Sequence, residues 1–145
     1  MEERRLLNEF VHWPDAINVL QGIANSVYQQ KEILRLEAQL RSEVAGTPFY
    51  IISRALILAD SKGLIETDKI RDEPLKPLID KDVVYIGELY AGYVNSEIMN
   101  NRGWTLEDVY GRRRQVLKVL EVSNEYQIVL WEAKRRRRKM QLKNV

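Results

Sequence analysis

The stretch from residue 103 to residue 111, GWTLEDVYG, contains the clearest local folding signal in the chain. The hydroxyl of Thr105 can accept a hydrogen bond from a backbone N–H at a helix start, and Asp108, three residues later, can accept one in return. This reciprocal arrangement is a capping box. The pattern therefore predicts a helix that begins at Leu106.

Downstream of this start, the residues favour one long helix that runs to about Gln141, because Leu, Glu, Lys, Arg and Gln dominate its flanks. Ser123 and Asn124 mark a candidate break or bend. In a rival interpretation, residues 116–131 form a β-hairpin, since Val, Ile, Tyr and Trp surround a polar turn. We favour the helix, although periodicity alone does not separate the two for short apolar runs.

Upstream of residue 103, three more segments have helical character. Apolar residues in 15–45 recur at spacings of three, four and seven, which is helical periodicity. The segment 48–62 is apolar on nearly every face and is expected to be a central helix. The segment 81–101 has one apolar face, and its small residues Gly87 and Ala91, four apart and followed by Gly92, would let a neighbouring helix approach closely.

These segments predict an all-α fold, a helical bundle of four to five helices with a long basic C-terminal helix. The 145 residues are expected to form a single domain, and the apolar fraction of 45% is typical of a globular protein. The absence of cysteine excludes disulfides and thiolate metal sites and fits either an intracellular or a high-temperature setting. No stretch of ~18 uncharged apolar residues is present, so we expect no membrane span.

The net charge of +2 hides a strong asymmetry along the chain. Residues 1–101 contain 11 basic and 16 acidic residues, a net charge of −5. Residues 102–145 contain 12 basic and 5 acidic residues, a net charge of +7. Such a basic end is typical of proteins that bind nucleic acid or another anionic surface, and it could also let copies pack basic end on acidic end.

Two arginine-rich clusters lie in the predicted last helix, GRRRQ at 111–115 and KRRRRK at 134–139. Arginine binds phosphate bidentately, and the clusters would stand ~30 Å apart on a continuous helix. Because successive helical residues point about 100° apart, six cations in a row would face all sides. The candidate phosphate-binding residues are Arg112, Arg113, Arg114, Lys118, Lys134, Arg135, Arg136, Arg137, Arg138, Lys139, Lys143, Arg4 and Arg5.

The partner indicated by these residues is a nucleic acid, bound through its phosphate backbone without sequence specificity. The sequence contains no recognition helix with Asn or Gln beside Arg and no zinc ligands. Nothing in it therefore indicates that base edges are read. Two simpler interpretations remain open. The run could be a solvated helix end that complements the helix dipole, or a nuclear-localisation patch.

No pattern in the sequence predicts catalysis. His12 is the only histidine, and we interpret it as a packing residue beside Trp13. The acidic residues of 66–82 lie among lysines and prolines and look like a solvated connector, not a metal site. We therefore expect no enzymatic activity, no metal and no cofactor.

The helical blocks 15–45, 48–62, 81–101 and 105–141, with GRRR and KRRRRK on the last, resemble the major capsid proteins of filamentous viruses of hyperthermophilic archaea. Those are small α-helical proteins, often heterodimeric, that wrap double-stranded DNA held in A-form. The resemblance implies a virion structural protein with a second coat subunit of similar fold. This chain departs from several members, which have their DNA-wrapping arm at the N-terminus.

An alternative is a small dimeric DNA-binding regulator or a packaging adaptor. It would need a helix-turn-helix, and LILADSKGLIETDKIRDE at 56–73 has the required order of helix, glycine turn and second helix. The second segment is acidic, which is unfavourable in the major groove of DNA. We therefore rank this alternative second.

Overall fold

The computed structural model describes residues 16–26, 30–43 and 47–143. Within these ranges the chain contains helices and no strand, so the predicted all-α bundle is confirmed and the β-hairpin at 116–131 is not formed. Seven helices occur in these ranges: α1 (Ala16–Ala24), α2 (Gln30–Glu43), α3 (Pro48–Ser61), α4 (Asp80–Tyr90), α5 (Asn95–Arg102), α6 (Leu106–Leu120) and α7 (Glu125–Lys143).

The helices outnumber the predicted four to five because three long predicted helices are each divided in two. Positive φ angles occur at all three breaks, 59° at Ser26, 101° at Gly92 and 55° at Glu121. A right-handed helix needs φ near −63°, so none of these positions can lie inside one. The segment predicted as one helix from 105 to 141 is therefore two helices, and the break at 121–124 includes Ser123 and Asn124, the candidate break predicted from the sequence.

Side-chain caps explain where α6 and α7 begin. Thr105 accepts a hydrogen bond from the N–H of Asp108, and the Asp108 carboxylate accepts one from the N–H of Thr105, both at 3.1 Å. The predicted start at Leu106 is confirmed. At the start of α7, the side chain of Asn124 accepts from the N–H of Gln127 at 3.1 Å. The side chain of Gln127 accepts in turn from the N–H of Ser123 at 2.6 Å.

Helix α7 lies at the centre of the bundle and packs against α1, α3, α4 and α6. Its residues 128–131 are all buried, so this part of the helix is surrounded on every side. Helix α3 is also buried on most of its faces, as predicted from its apolar composition. A close approach occurs at Gly92, where a Cβ atom would lie 2.3 Å from Cδ2 of Tyr50. A Cβ atom at Gly87 would meet nothing within 4 Å.

The segment 62–79, called the connector from here on, contains no helix. The second helix of a helix-turn-helix at 56–73 is therefore not formed. The connector is anchored to the bundle, because Ile65 and Ile70 are buried and the N–H of Leu75 donates to the carbonyl of Val119 at 2.8 Å. Across the described ranges, no helix is both long and apolar enough to span a membrane.

Candidate nucleic-acid interface

The basic run, residues 134–139, occupies the C-terminal half of α7, and its first residue is bonded to the connector. The Nζ atom of Lys134 donates to the carbonyl oxygens of Thr67 at 2.9 Å and Ile70 at 2.8 Å. It also lies 3.4 Å from the carboxylate of Asp72, and its side chain is only 13% exposed. Lys134 therefore holds the connector against α7.

The next two cations share one buried carboxylate, that of Glu132. Arg135 donates two hydrogen bonds to it at 2.5 and 2.8 Å, and Arg136 donates one at 3.1 Å. Burial acts to raise the pKa of Glu132, but the hydrogen bonds and charges of Arg135 and Arg136 outweigh it and hold that pKa below its ordinary value. Glu132 is therefore an ionised structural acceptor.

The following two arginines reach other parts of the chain. Arg137 donates to the carboxylate of Asp60, at the end of α3, at 2.7 Å and to the Asp60 carbonyl at 3.2 Å. Arg138 bonds the carboxylate of Asp72 at 2.9 Å and its carbonyl oxygen at 2.9 Å. These contacts tie α7 to α3 and to the connector.

The basic run places cations on several sides of α7, but it does not leave them all free for a ligand. Five of its six residues are bonded to acceptors of the same chain, which occupy part of their donor capacity. Lys139 is exposed and has no hydrogen bond or ion pair with the described residues. Five of the six cations pair with three carboxylates and Lys139 is unpaired within the described ranges, so the run keeps an excess of three positive charges.

The arginine cluster of α6 also contains both paired and unpaired cations. Arg112 pairs with the buried carboxylate of Asp82 at 3.0 Å, and Arg113 pairs with Glu125. Arg114 and Lys118 are exposed and make no ion pair or hydrogen bond in the described part of the chain. They are four residues apart and share one face of α6. The predicted ~30 Å spacing does not apply, because α6 and α7 are separate helices packed against each other.

Three predicted site residues have no described side-chain geometry. Arg4 and Arg5 lie outside the described residues. The same holds for His12, which was interpreted as a packing residue and not as a site residue. Lys143 is the last residue of α7, and its side chain is outside the described part.

The carboxylates that pair with the basic residues were not predicted from the sequence. Asp72 and Asp82 were interpreted as parts of a solvated connector, whereas Asp82 is buried and both form ion pairs. Only Glu132 carried a readable signal, since it precedes Arg135 and Arg136 by three and four residues, the spacing at which helical side chains meet. Sequence reasoning also missed Arg136 stacking on the Tyr90 ring, 4.1 Å from its centroid.

A cavity of about 250 Å³ lies beside the basic run, with mostly apolar walls. Its lining residues are Leu78, Val83, Ile86, Trp131, Glu132, Arg135 and Lys139. The one carboxylate in this lining, Glu132, already accepts hydrogen bonds from Arg135 and Arg136. No group of three or more His, Asp or Glu side chains within the described ranges is arranged to hold a metal ion.

The basic run can bind anions through arginines that helix packing and ion pairs hold in place.

No protein-family model matches the chain, and comparisons with curated proteins and with solved structures found no significant match.

Proposed function

We propose that the protein is a structural, non-enzymatic subunit that coats and packages double-stranded DNA through sequence-independent phosphate contacts, as a capsid protein of a filamentous virion. The observation that carries the proposal is the positive charge left in the basic run and on α6 after the ion pairs among the described residues are counted. The other partners would be further copies of the chain or a second coat subunit of similar fold.

The paired arginines retain donors for phosphate. A guanidinium has five N–H donors, and the carboxylates use two or three of them at most. The side chains of Arg135, Arg136, Arg137 and Arg138 remain 31%, 50%, 39% and 34% exposed. Because they are already held in place, they would lose less conformational entropy on meeting phosphate than a loose tail would.

The exposed cations that make no internal bond would make the first contacts with DNA. Arg114, Lys118 and Lys139 have no partner within the described ranges, so phosphate binding at these residues breaks no internal bond. Backbone binding of this kind derives its affinity from counterion release and is insensitive to sequence. The coat role is supported by the resemblance in architecture and by the opposite charges of 1–101 and 102–145, which favour contact between copies.

The DNA-binding test replaces Arg114, Lys118 and Lys139 together by alanine. We expect weaker binding to every duplex sequence and a salt dependence, as the slope of log K against log salt concentration, that is shallower by about 2–3. Fluorescence anisotropy with a panel of labelled duplexes at several salt concentrations measures both quantities. These substitutions leave the internal ion pairs intact, so the folded state should be preserved.

The matched control replaces Lys31, Lys62 and Lys69, three exposed lysines of the acidic part of the chain, and changes the net charge by the same amount. Its binding and slope should stay close to those of the unsubstituted protein. An equal loss in both triple variants would show that net charge alone governs binding. Electron microscopy of the protein mixed with linear duplex DNA tests the coat role, which requires ordered filaments that contain DNA.

A further inference from the structure

We propose that Arg54 and Arg136, with the rings of Tyr50 and Tyr90, form a binding site for one phosphate-type oxyanion. The inference rests on the proposed function in one respect, because the oxyanion in a DNA complex would be a backbone phosphate. The site lies between α3, the end of α4 and the basic run of α7.

The guanidinium of Arg54 has stacking partners but no hydrogen-bond acceptor. Its central carbon lies 5.5 Å from the ring centroid of Tyr50 and 5.2 Å from that of Tyr90. The Nε and Nη2 atoms are buried and have no hydrogen-bond partner. These two atoms form one edge of the guanidinium, the edge that binds a carboxylate or a phosphate with two parallel hydrogen bonds.

Two buried guanidinium nitrogens without acceptors are an unfavourable arrangement by themselves. A buried donor without an acceptor destabilises the fold, and arginine keeps its charge at any ordinary pH. Burial lowers the pKa of Arg54, and the charge of Arg136 acts in the same direction. The two aromatic rings stabilise the cation through their faces but offer no oxygen to its Nε–Nη2 edge.

A second guanidinium adds to this excess of positive charge. Arg136 stacks on the ring of Tyr90 at 4.1 Å, so Arg54 and Arg136 both contact that ring. The carboxylate nearest to Arg136 is Glu132, which Arg135 also engages. No carboxylate of the described residues contacts Arg54. An added anion would therefore neutralise charge that the protein leaves uncompensated.

The chemistry favours a tetrahedral oxyanion over a carboxylate. A phosphate offers three or four acceptor oxygens that point in different directions and can serve two guanidinium groups at once. Arg136 is 50% exposed, whereas the Nε and Nη2 atoms of Arg54 are buried, so an oxyanion reaches that edge only when the side chains around it move. The backbone at Gly92 lies directly against the ring of Tyr50 and supports it.

The test compares thermal unfolding in sodium phosphate and in sodium chloride at equal pH and ionic strength, for the unsubstituted protein, Arg54→Met and the control Arg35→Met, which removes an exposed arginine of α2. Phosphate stabilises most proteins slightly by exclusion from their surface, so the difference between variants is the readout. We expect the unsubstituted protein and Arg35→Met to share a phosphate-dependent rise in Tm that Arg54→Met lacks. In chloride, Arg54→Met should unfold at the same temperature as the unsubstituted protein or higher.

Arg54→Lys keeps the charge but not the planar fork, so the dissociation constant for phosphate should rise about tenfold. A lower Tm of Arg54→Met in chloride together with an undiminished phosphate effect would make Arg54 a purely structural cation and overturn the site. An equal, Arg54-dependent rise in Tm with sodium acetate would overturn the assignment to a phosphate-type anion.

Binding of labelled duplex DNA distinguishes the two sources of phosphate. A larger loss of DNA affinity in Arg54→Met than in Arg35→Met assigns the site to the DNA backbone. If Arg54→Met keeps the DNA affinity of Arg35→Met but lacks the phosphate effect, the site takes free phosphate. If the unsubstituted protein shows the phosphate effect and binds no DNA, the proposed function fails and the anion site stands.

Discussion

At the scale of single residues, the carboxylate of Glu132 determines how two arginines of the basic run are held. It is buried in the bundle, yet it accepts three hydrogen bonds from Arg135 and Arg136. A buried ion pair adds little stability over apolar packing, but removing one partner leaves the remaining charges uncompensated. Glu132 thus couples the stability of the fold to the positions of cations on its surface.

The variant Glu132→Gln should destabilise the protein by about 1–3 kcal/mol, since both arginines lose a charged acceptor but remain partly hydrated. The pKa of Glu132 in the folded protein lies below its ordinary value of 4.5. Its ionised form therefore stabilises the fold fully above about pH 4.5, and this contribution is lost as the pH falls through the lower folded pKa.

Urea unfolding at pH 7 and at steps down to pH 3 measures this contribution. The stability difference between the unsubstituted protein and Glu132→Gln should shrink as the pH falls below about 4.5. A difference that stays constant over this range would show that the two arginines do not depend on the charge of Glu132.

At the scale of elements, the basic run both ties α7 to its neighbours and forms part of its surface. Lys134, Arg137 and Arg138 bond α7 to the connector and to the end of α3. Lys139 follows them directly and is exposed. Neighbouring cations in one sequence motif therefore have different roles, which depend on the side of the helix they occupy.

The pair Lys134→Met and Lys139→Met tests this division of roles. Lys134→Met leaves the carbonyls of Thr67 and Ile70 without their donor and should destabilise the fold by about 1–3 kcal/mol. Lys139→Met should change stability by no more than about 0.5 kcal/mol but should weaken DNA binding. Urea denaturation together with anisotropy measures both effects, and equal stability losses in the two variants would contradict the division.

The breaks between elements show how much of the fold the sequence could predict. The capping box at Thr105 and the apolar composition of α3 were read correctly, because both signals involve residues close together in the chain. The breaks at Ser26 and Gly92 were missed. At Gly92 the left-handed conformation accompanies close contact with Tyr50, and Tyr50 is distant in sequence.

At the scale of the whole molecule, the charge asymmetry along the chain is one basis of the proposed association between copies. Residues 1–101 have a net charge of −5 and residues 102–145 a net charge of +7. The surface also exposes large apolar side chains, among them Ile79, Val83 and Leu106. The two features predict opposite effects of salt on self-association. Salt screens the attraction between charges, whereas it strengthens contact between apolar surfaces.

We expect self-association to be driven by charge, and so to be stronger at ~0.02 M salt than at ~1 M, where the screening length falls from tens of ångströms to about 3 Å. Sedimentation velocity over a range of protein concentrations measures it in the absence of DNA. Association that persists or grows at high salt would identify the apolar surface as the contact between copies.

The amino-acid sequence by itself determined the helical class, the start of α6, the central position of α3 and the concentration of positive charge at the C-terminal end. These properties depend on composition and on residues within a few positions of one another. Only the tertiary structure decided which cations are available to a ligand. Arg137 and Arg138 meet Asp60 and Asp72 across 77 and 66 residues of chain. Contacts over such separations depend on how the helices pack, and no local pattern encodes them.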